Sequence, residues 1–349
     1  MKFCPKFSYI RNRRRRKVTL NMLRNTSGYL KDRVLEVYRT YGILIALIIL
    51  IVIVTIGNQS FLNFVNLMNI SSQWAPTGIM AVGMTLVILT GGFDLSVGAI
   101  YSLSAVMAAS IGRSHNPLIA FSAAILIGIF FGSINGALVT LAKVNPFITT
   151  LGTSFAISGI AMVLTGNLAF VVENPAFSIL GANRWHGIPY TGVLLVSILI
   201  AGGIVLKYTT YGRKIYAVGG NTEASRLAGV RTRRVVASTY IISGACSGLA
   251  GVFTASQLSS AQPNLNPDIV FNVITAVVVG GTSLAGGYGA MWRTAVGIGI
   301  LATLQNGFNL LNVSPYYQTI IKGVIIVGAL AVDNYTQSLA RKSIKNISK

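Results

Sequence analysis

Acidic side chains are scarce in this chain: seven among 349 residues, at Asp32, Glu36, Asp94, Glu173, Glu223, Asp268 and Asp333. Charge of either sign is thin, at 10% of residues, where a soluble domain carries about a quarter. Water is therefore not the main solvent. Cysteine is limited to Cys4 and Cys246, too few for a disulfide scaffold or a zinc cluster. The two histidines, His115 and His186, fall in connecting segments without an acid cluster or metal-ligand spacing beside them. A membrane enzyme would be short of catalytic groups. No phosphate-cradling Gly-x-x-x-x-Gly-Lys-Ser/Thr run occurs, so the chain is not expected to hydrolyse ATP itself.

What is abundant is apolar surface, at 53% of residues, together with 28 Lys and Arg that bring the net charge to +21. On a soluble chain that excess would suggest nucleic acid. Here the basic residues flank apolar runs, the signature of a cytoplasmic membrane face. The dense arm at Arg11–Lys17 is accounted for by attraction to anionic lipid heads, about 1 kcal/mol per basic residue near the surface. No nucleic-acid partner is expected.

A helix needs about 20 apolar residues to cross the hydrocarbon core. Ten stretches qualify: 41–57, 73–91, 95–112, 118–141, 147–165, 191–208, 236–257, 271–285, 293–311 and 317–333. About 40 polar residues precede the first, and no small-residue cleavage site is evident, so it reads as an uncleaved anchor. Residues 1–40 carry twelve Lys and Arg and should be cytoplasmic. Alternation then makes 58–72, 258–270 and 312–316 external, and these hold no Lys or Arg. The other two external loops hold only Arg113 and Arg184. The loop 207–235 falls inside with Lys207, Arg213, Lys214, Arg226, Arg231, Arg233 and Arg234, as does the tail with Arg341, Lys342, Lys345 and Lys349. The expected fold is an all-α membrane bundle of about ten helices with glycine-rich breaks and both termini cytoplasmic. Its parts are a basic arm (1–40), a membrane domain (41–335) and a basic tail (336–349).

Gly128, Gly132 and Gly136 recur every fourth residue, which lets helix backbones approach closely in a membrane. The segment 90–98, Thr-Gly-Gly-Phe-Asp-Leu-Ser-Val-Gly, contains Asp94, the acid placed nearest hydrocarbon. Such a residue faces protein or a wet cavity; it either caps the third span or also serves a pathway. A second break at 280–289 repeats Gly-Gly-x-x-Leu-x-x-Gly, and paired breaks of this kind point to a central binding region or a hinge. Polar residues within or beside the spans complete the candidate pathway set: Ser96, Asn135, Gln257, Asn272, Thr282, Ser283, Asn306 and Asn309, with Gln305 beside them. Each could be a helix-to-helix bond. As a population of amides and hydroxyls they favour a neutral polar cargo over an ion.

In the cytoplasmic loop, Asn221 suits an N-cap, Glu223 the positive end of a helix dipole, and Gly229 a C-terminal stop. The expected product is a two-turn helix, too short to be stable alone and so docked on something.

Several runs together resemble the ribose-type permease family of bacterial ABC sugar importers. They are Met80–Gly98, Asn145–Thr153, Gly219–Gly229, Leu258–Pro263, Gly280–Gly287 and Asn306–Leu311, in the same order along the chain. The resemblance implies a transmembrane subunit paired with a second copy or a paralogue, a cytoplasmic ATPase that holds ATP and Mg, and a periplasmic or lipid-anchored sugar-binding protein in the bacterial inner membrane. It implies no cofactor on this chain. It also implies that Gly220, Asn221, Glu223, Ala224, Arg226 and Gly229 form the coupling helix received by the ATPase. Departures at Phe93, Asn272 and Tyr288–Arg293 leave ribose as one solute among several, with an autoinducer or a nucleoside as alternatives. An ion-coupled transporter using Asp94 is the competing class.

Overall fold

The computed structural model describes residues 41–328 and residue 331; the basic arm at 1–40 and the tail at 336–349 lie outside the described residues. Tyr41–Ala46, described from the first contact unit, form the opening turns of helix α1 (Tyr41–Gly57). The second unit, residues 47–349, holds the remainder. It contains α2 (Phe64–Leu89), α3 (Val97–Gly112), α4 (Pro117–Thr140), α5 (Pro146–Thr165), α6 (Pro175–Ala182) and α7 (Tyr190–Tyr208). There follow α8 (Thr210–Gly220), α9 (Thr222–Leu227), α10 (Thr232–Leu258), α11 (Ile269–Val279), α12 (Met291–Leu310) and α13 (315–328). Among the described residues, strand is confined to two short ladders, Phe170–Val171 with Ser260–Ala261 and Arg184–Trp185 with Ile188–Pro189.

Asparagine sets many of the starts. Asn116, Asn145 and Asn174 each precede a proline, and each side chain accepts the N–H two residues on. Asparagine satisfies a donor that the helix leaves free, and proline at the first helical position lacks that donor anyway.

Among the described residues, five helices are long and apolar enough to cross a membrane: α2, α4, α5, α7 and α10. They divide sharply by environment. The apolar window of α2 is 94% buried inside the protein, while those of α4, α5 and α7 are 22–28% buried. α2 is thus packed by protein on nearly all sides, and the other three present apolar side chains outward, such as Leu126, Phe155 and Ile200. The most extensive helix pair is α4 with α10. A Cβ on Gly132 would meet the Tyr240 carbonyl oxygen at 2.5 Å, and one on Gly136 would meet that of Ala237 at 2.9 Å. The glycine stripe read from the sequence is therefore a backbone-to-backbone seam.

Several expected boundaries are corrected. α2 begins nine residues before the expected 73, so most of the expected external loop 58–72 is helical, with a 3₁₀ turn at Gln59–Leu62 ahead of it. The expected span 271–285 is helical only over Ile269–Val279. Its eleven residues rise about 16 Å, half the hydrocarbon thickness, because Gly280 and Gly281 end the helix. α6, a helix packed against α10, falls within an expected external loop, since eight residues are too few for a periodic signal.

Candidate functional site

Asp94 lies in the turn between α2 and α3 and is fully buried. Its Oδ1 accepts from the Ser96 N–H at 3.1 Å and the Ser96 hydroxyl at 2.6 Å; its Oδ2 accepts from the Ser243 hydroxyl of α10 at 2.8 Å. Ser96 in turn accepts from the Asn135 amide of α4 at 2.7 Å, and Asn135 Oδ1 accepts from Thr153 of α5 at 2.8 Å. One carboxylate thus ties together the start of α3 and three other helices. Capping by Asp94 is corrected in detail: the N-cap position is Ser96, which makes no side-chain cap bond, and Asp94 holds the turn from two residues upstream. The flanking backbone is pinned too, with Tyr240 Oη donating to the Phe93 carbonyl at 3.1 Å and the Leu95 N–H donating to Thr150 at 3.0 Å.

The second break reaches the first. Gly287 N–H donates to the Leu89 carbonyl at the end of α2, at 2.9 Å. A Cβ on Gly286 would lie 2.8 Å from Gly91 N, and one on Gly287 would lie 2.8 Å from Gly220 Cα. Gly219, at the end of α8, is wedged between the Leu89 carbonyl and Gly287. Both breaks and the end of α8 therefore meet in one glycine junction, directly before α9.

The remaining candidates do not gather into one site. Gln257 donates to Ser72 at 3.4 Å, and Ser72 bonds Thr191 at 3.1 Å. This group lies beside the Pro76 position of α2, where the ring removes the N–H that would bond the Ser72 carbonyl. Asn306 pairs amide to amide with Asn66 at 3.0 Å, and Asn309 accepts from Gln318 at 3.3 Å, which also accepts from Gln305 at 2.6 Å. Thr282 is buried, and its hydroxyl makes no hydrogen bond among the described residues. Ser283 accepts from the Ala285 N–H at 3.3 Å, and Asn272 is half-buried on α11.

In the basic loop, α9 stands where its capping residues place it. Asn221 accepts from the Ala224 N–H at 2.9 Å, and Gly229 turns the chain at φ +83°. Glu223 and Arg226 form a bidentate pair on the exposed face; the guanidinium holds the Glu223 carboxyl below its ordinary pKa. α8 went unread in the sequence, although Tyr211, Ile215 and Val218 recur at helical spacing and Gly212, Ile215 and Val218 are buried. Its Tyr211 hydroxyl bonds Ser238 at 2.7 Å, and burial raises that phenol's pKa. Sequence reasoning also missed Ser243, Tyr240, Thr150 and Thr153. Small hydroxyls in apolar helices carry no periodic signal, although Thr150 and Thr153 lie within the Asn145–Thr153 run.

The family described as branched-chain amino acid transport system / permease component matches residues 66–330. The chain belongs to this permease family. The ribose import permease protein RbsC of Escherichia coli (strain K12) is 42% identical over 274 residues, covering 77% of this chain and 85% of that protein. The L-arabinose transport system permease protein AraH of the same strain is 36% identical over 266 residues, covering 76% and 81%. The "Probable ABC transporter permease protein y4mJ" of Sinorhizobium fredii (strain NBRC 101917 / NGR234) is 34% identical over 272 residues, covering 77% and 81%. No solved structure matches the chain.

Proposed function

We propose that this permease carries a monosaccharide, or a similar neutral polyhydroxylated solute, inward across the bacterial inner membrane as the transmembrane subunit of an ABC importer. The observation that carries the reading is the 42% identity to a ribose import permease over most of both chains. The chemistry of the interior supports a neutral cargo. Asp94 is the one buried charged side chain among the described residues, and its oxygens are already taken by Ser96 and Ser243. A zwitterionic amino acid, the cargo in the family's description, would need charged partners, and an ion-coupled mechanism would need a free carboxylate.

In this reading the chain crosses the membrane about ten times with both termini in the cytoplasm. A cytoplasmic ATPase hydrolyses ATP with Mg, a second permease chain (a copy or a paralogue) completes the pathway, and a binding protein delivers solute. The ATPase receives α9 through Asn221, Glu223, Ala224 and Arg226. Its movement passes through Gly219 and Gly220 into the glycine junction, where the end of α2 meets the 280–289 break. Two arrangements of that junction, biased by the ATPase, give alternating access. Proteoliposomes decide the matter: sugar uptake is expected only with ATP, the ATPase and the binding protein. Accumulation by this chain alone under an ion gradient would overturn the reading.

A further inference from the structure

A crevice of about 600 Å³ lies between the start of α8, the link from α9 to α10, and the first turns of α10. It is lined by Lys214, Arg231 and Arg234, by Tyr211 and Ser238, and by the apolar side chains of Ala228, Val230 and Val235. Gly229, the stop of the coupling helix, also borders it, but its three cations lie outside α9 and the coupling function gives them no role. Among the described residues none of the three cations has an acidic partner; the one salt bridge there joins Glu223 to Arg226. Their position raises the electrostatic cost further. A helix N-terminus favours anions, yet α10 begins with Arg231, Arg233 and Arg234, has no acid in its first turn, and receives no side-chain cap from Arg231. Arg231 and Arg234, at the positive end of that dipole and joined by Lys214 of α8 around a concave space, ask for an anion.

The neighbouring surface indicates where that anion comes from. Along α7 an outward stripe of Val193, Val196, Ile200 and Ile204 ends at exposed Tyr208, with Lys207 Nζ 5.2 Å from the Tyr208 ring centre. Apolar side chains that give way to tyrosine and lysine mark the membrane–water boundary. α8 begins two residues later, at Thr210, so Tyr211 and Lys214 stand at headgroup depth. The aliphatic part of the lining suits the glycerol and first methylenes of a lipid, and the Tyr211 and Ser238 hydroxyls, bonded to each other and onward to the Val235 carbonyl, leave the phosphate to the charged groups.

We propose that this crevice binds the phosphate of an anionic phospholipid from the leaflet that faces the 207–235 loop. Arg231 and Arg234 grip the phosphate oxygens, as planar guanidinium groups do, and Lys214 adds a point charge. A bound headgroup fixes the α9–α10 link against the membrane, so the coupling helix is presented from a lipid-anchored base. The inference rests on the reading of 207–235 as a membrane-proximal coupling loop, and its test separates the two.

Full-length permease in neutral detergent at 0.3 M salt is titrated with dioctanoyl phosphatidylglycerol, with dioctanoyl phosphatidylcholine, and with inorganic phosphate. Native mass spectrometry counts the adducts. One phosphatidylglycerol per chain is expected, bound preferentially over phosphatidylcholine and not displaced by millimolar phosphate. Arg231→Gln with Arg234→Gln should weaken it by about 30-fold, two charges at the surface increment for basic residues. Arg213→Gln with Arg233→Gln removes two charges of the same loop outside the crevice and should change it less than threefold. Lys214→Gln alone, on an exposed position of α8, gives a fivefold loss by the same arithmetic (about 1 kcal/mol), and serves if the double variant elutes as aggregate. Equal losses in the two double variants, or competition by free phosphate, would overturn the lipid site. So would unchanged lipid binding with lost ATPase capture in Arg231→Gln/Arg234→Gln, which would make the crevice a protein-docking surface. Retained lipid binding with no ATPase capture by the wild type would instead refute the coupling reading alone.

Discussion

At 91–98 the chain leaves α2 through one left-handed glycine, Gly91, and is then held on both sides. Asp94 gathers Ser96 and Ser243, Asn135 and Thr153 extend the network, and Tyr240 and Thr150 pin the backbone. At 280–289 the same Gly-Gly-x-x-Leu-x-x-Gly pattern turns through Gly281, Gly286 and Gly287, all left-handed. There the buried Thr282 hydroxyl makes no hydrogen bond among the described residues. The pattern specifies where a helix stops. What it does not specify is whether the stop is locked by polar groups from neighbouring helices or left with conformational choice. A break gathered around a buried carboxylate, beside one held by the Tyr216 hydroxyl of α8 on the Gly289 carbonyl at 2.9 Å and joined to the first through Leu89 and Gly287, is what a hinge between a fixed and a moving segment needs.

The comparison breaks most violently at Asp94. Asp94→Ala removes the acceptor for two hydroxyls and one N–H in a buried site, and orphaned buried groups cost about 1–3 kcal/mol each. A loss of about 3 kcal/mol or more is expected, read as a collapse in folded yield on size exclusion. Asp94→Asn keeps the shape but exchanges an acceptor for a donor, and should fall between. A melting temperature for Asp94→Ala equal to wild type would show that the first break is not locked by this network.

Gly219 tests the join. A side chain there meets the Leu89 carbonyl and Gly287 N, and overpacking of this kind costs about 1–3 kcal/mol. Gly219→Val should cut ATP-driven uptake tenfold or more while the α4–α10 seam stays packed and the protein stays monodisperse. Gly159→Ala on α5, where a Cβ meets nothing within 4 Å, should be neutral or stabilise by about 0.5–1 kcal/mol. Equal effects would remove the junction from the mechanism.

Much of this was legible in the sequence for identifiable reasons. Long apolar runs announce the membrane helices, the spacing of Gly128, Gly132 and Gly136 announces the α4–α10 seam, and Asn221 with Gly229 announces α9. The contacts that distinguish the two breaks were not legible. Ser243 lies 149 residues from Asp94, and the Gly287–Leu89 bond joins residues nearly 200 apart, so neither leaves a local pattern. The candidate pathway residues failed to converge for a related reason: an amide in an apolar helix reads the same whether it bonds a neighbouring helix, as Asn306 does with Asn66, or a solute.

Gly229 gives a smaller effect with a cleaner signature. At φ +83° with nothing within 4 Å of a built Cβ, its constraint is conformational, and a β-branched residue there costs about 1–2 kcal/mol. Gly229→Val should lower uptake and weaken co-purification of the ATPase, while the solute preference of the residual transport stays unchanged. Intact ATPase binding with an altered solute preference would move the loop into the selectivity pathway.

Thr282 gives the smallest effect on stability, and of opposite sign. Its hydroxyl is buried without a hydrogen bond among the described residues, and its side chain fills the space that a Cβ on Gly289 would occupy, at 2.7 Å. Thr282→Val retains that filling methyl and replaces the hydroxyl by a second one. Removing an unsatisfied polar group is neutral or stabilising by up to about 1 kcal/mol, so the melting temperature should hold or rise. Ser243→Ala, the matching loss of one hydroxyl at the locked break, leaves an Asp94 oxygen short of a donor and should lower it. If the second break is the moving one, the Thr282 hydroxyl gains its partner in the other arrangement of the junction. Thr282→Val then favours the state described here and slows transport even as it stabilises the protein. Uptake that rises or holds along with the melting temperature would place Thr282 in static packing and remove the hinge from the second break.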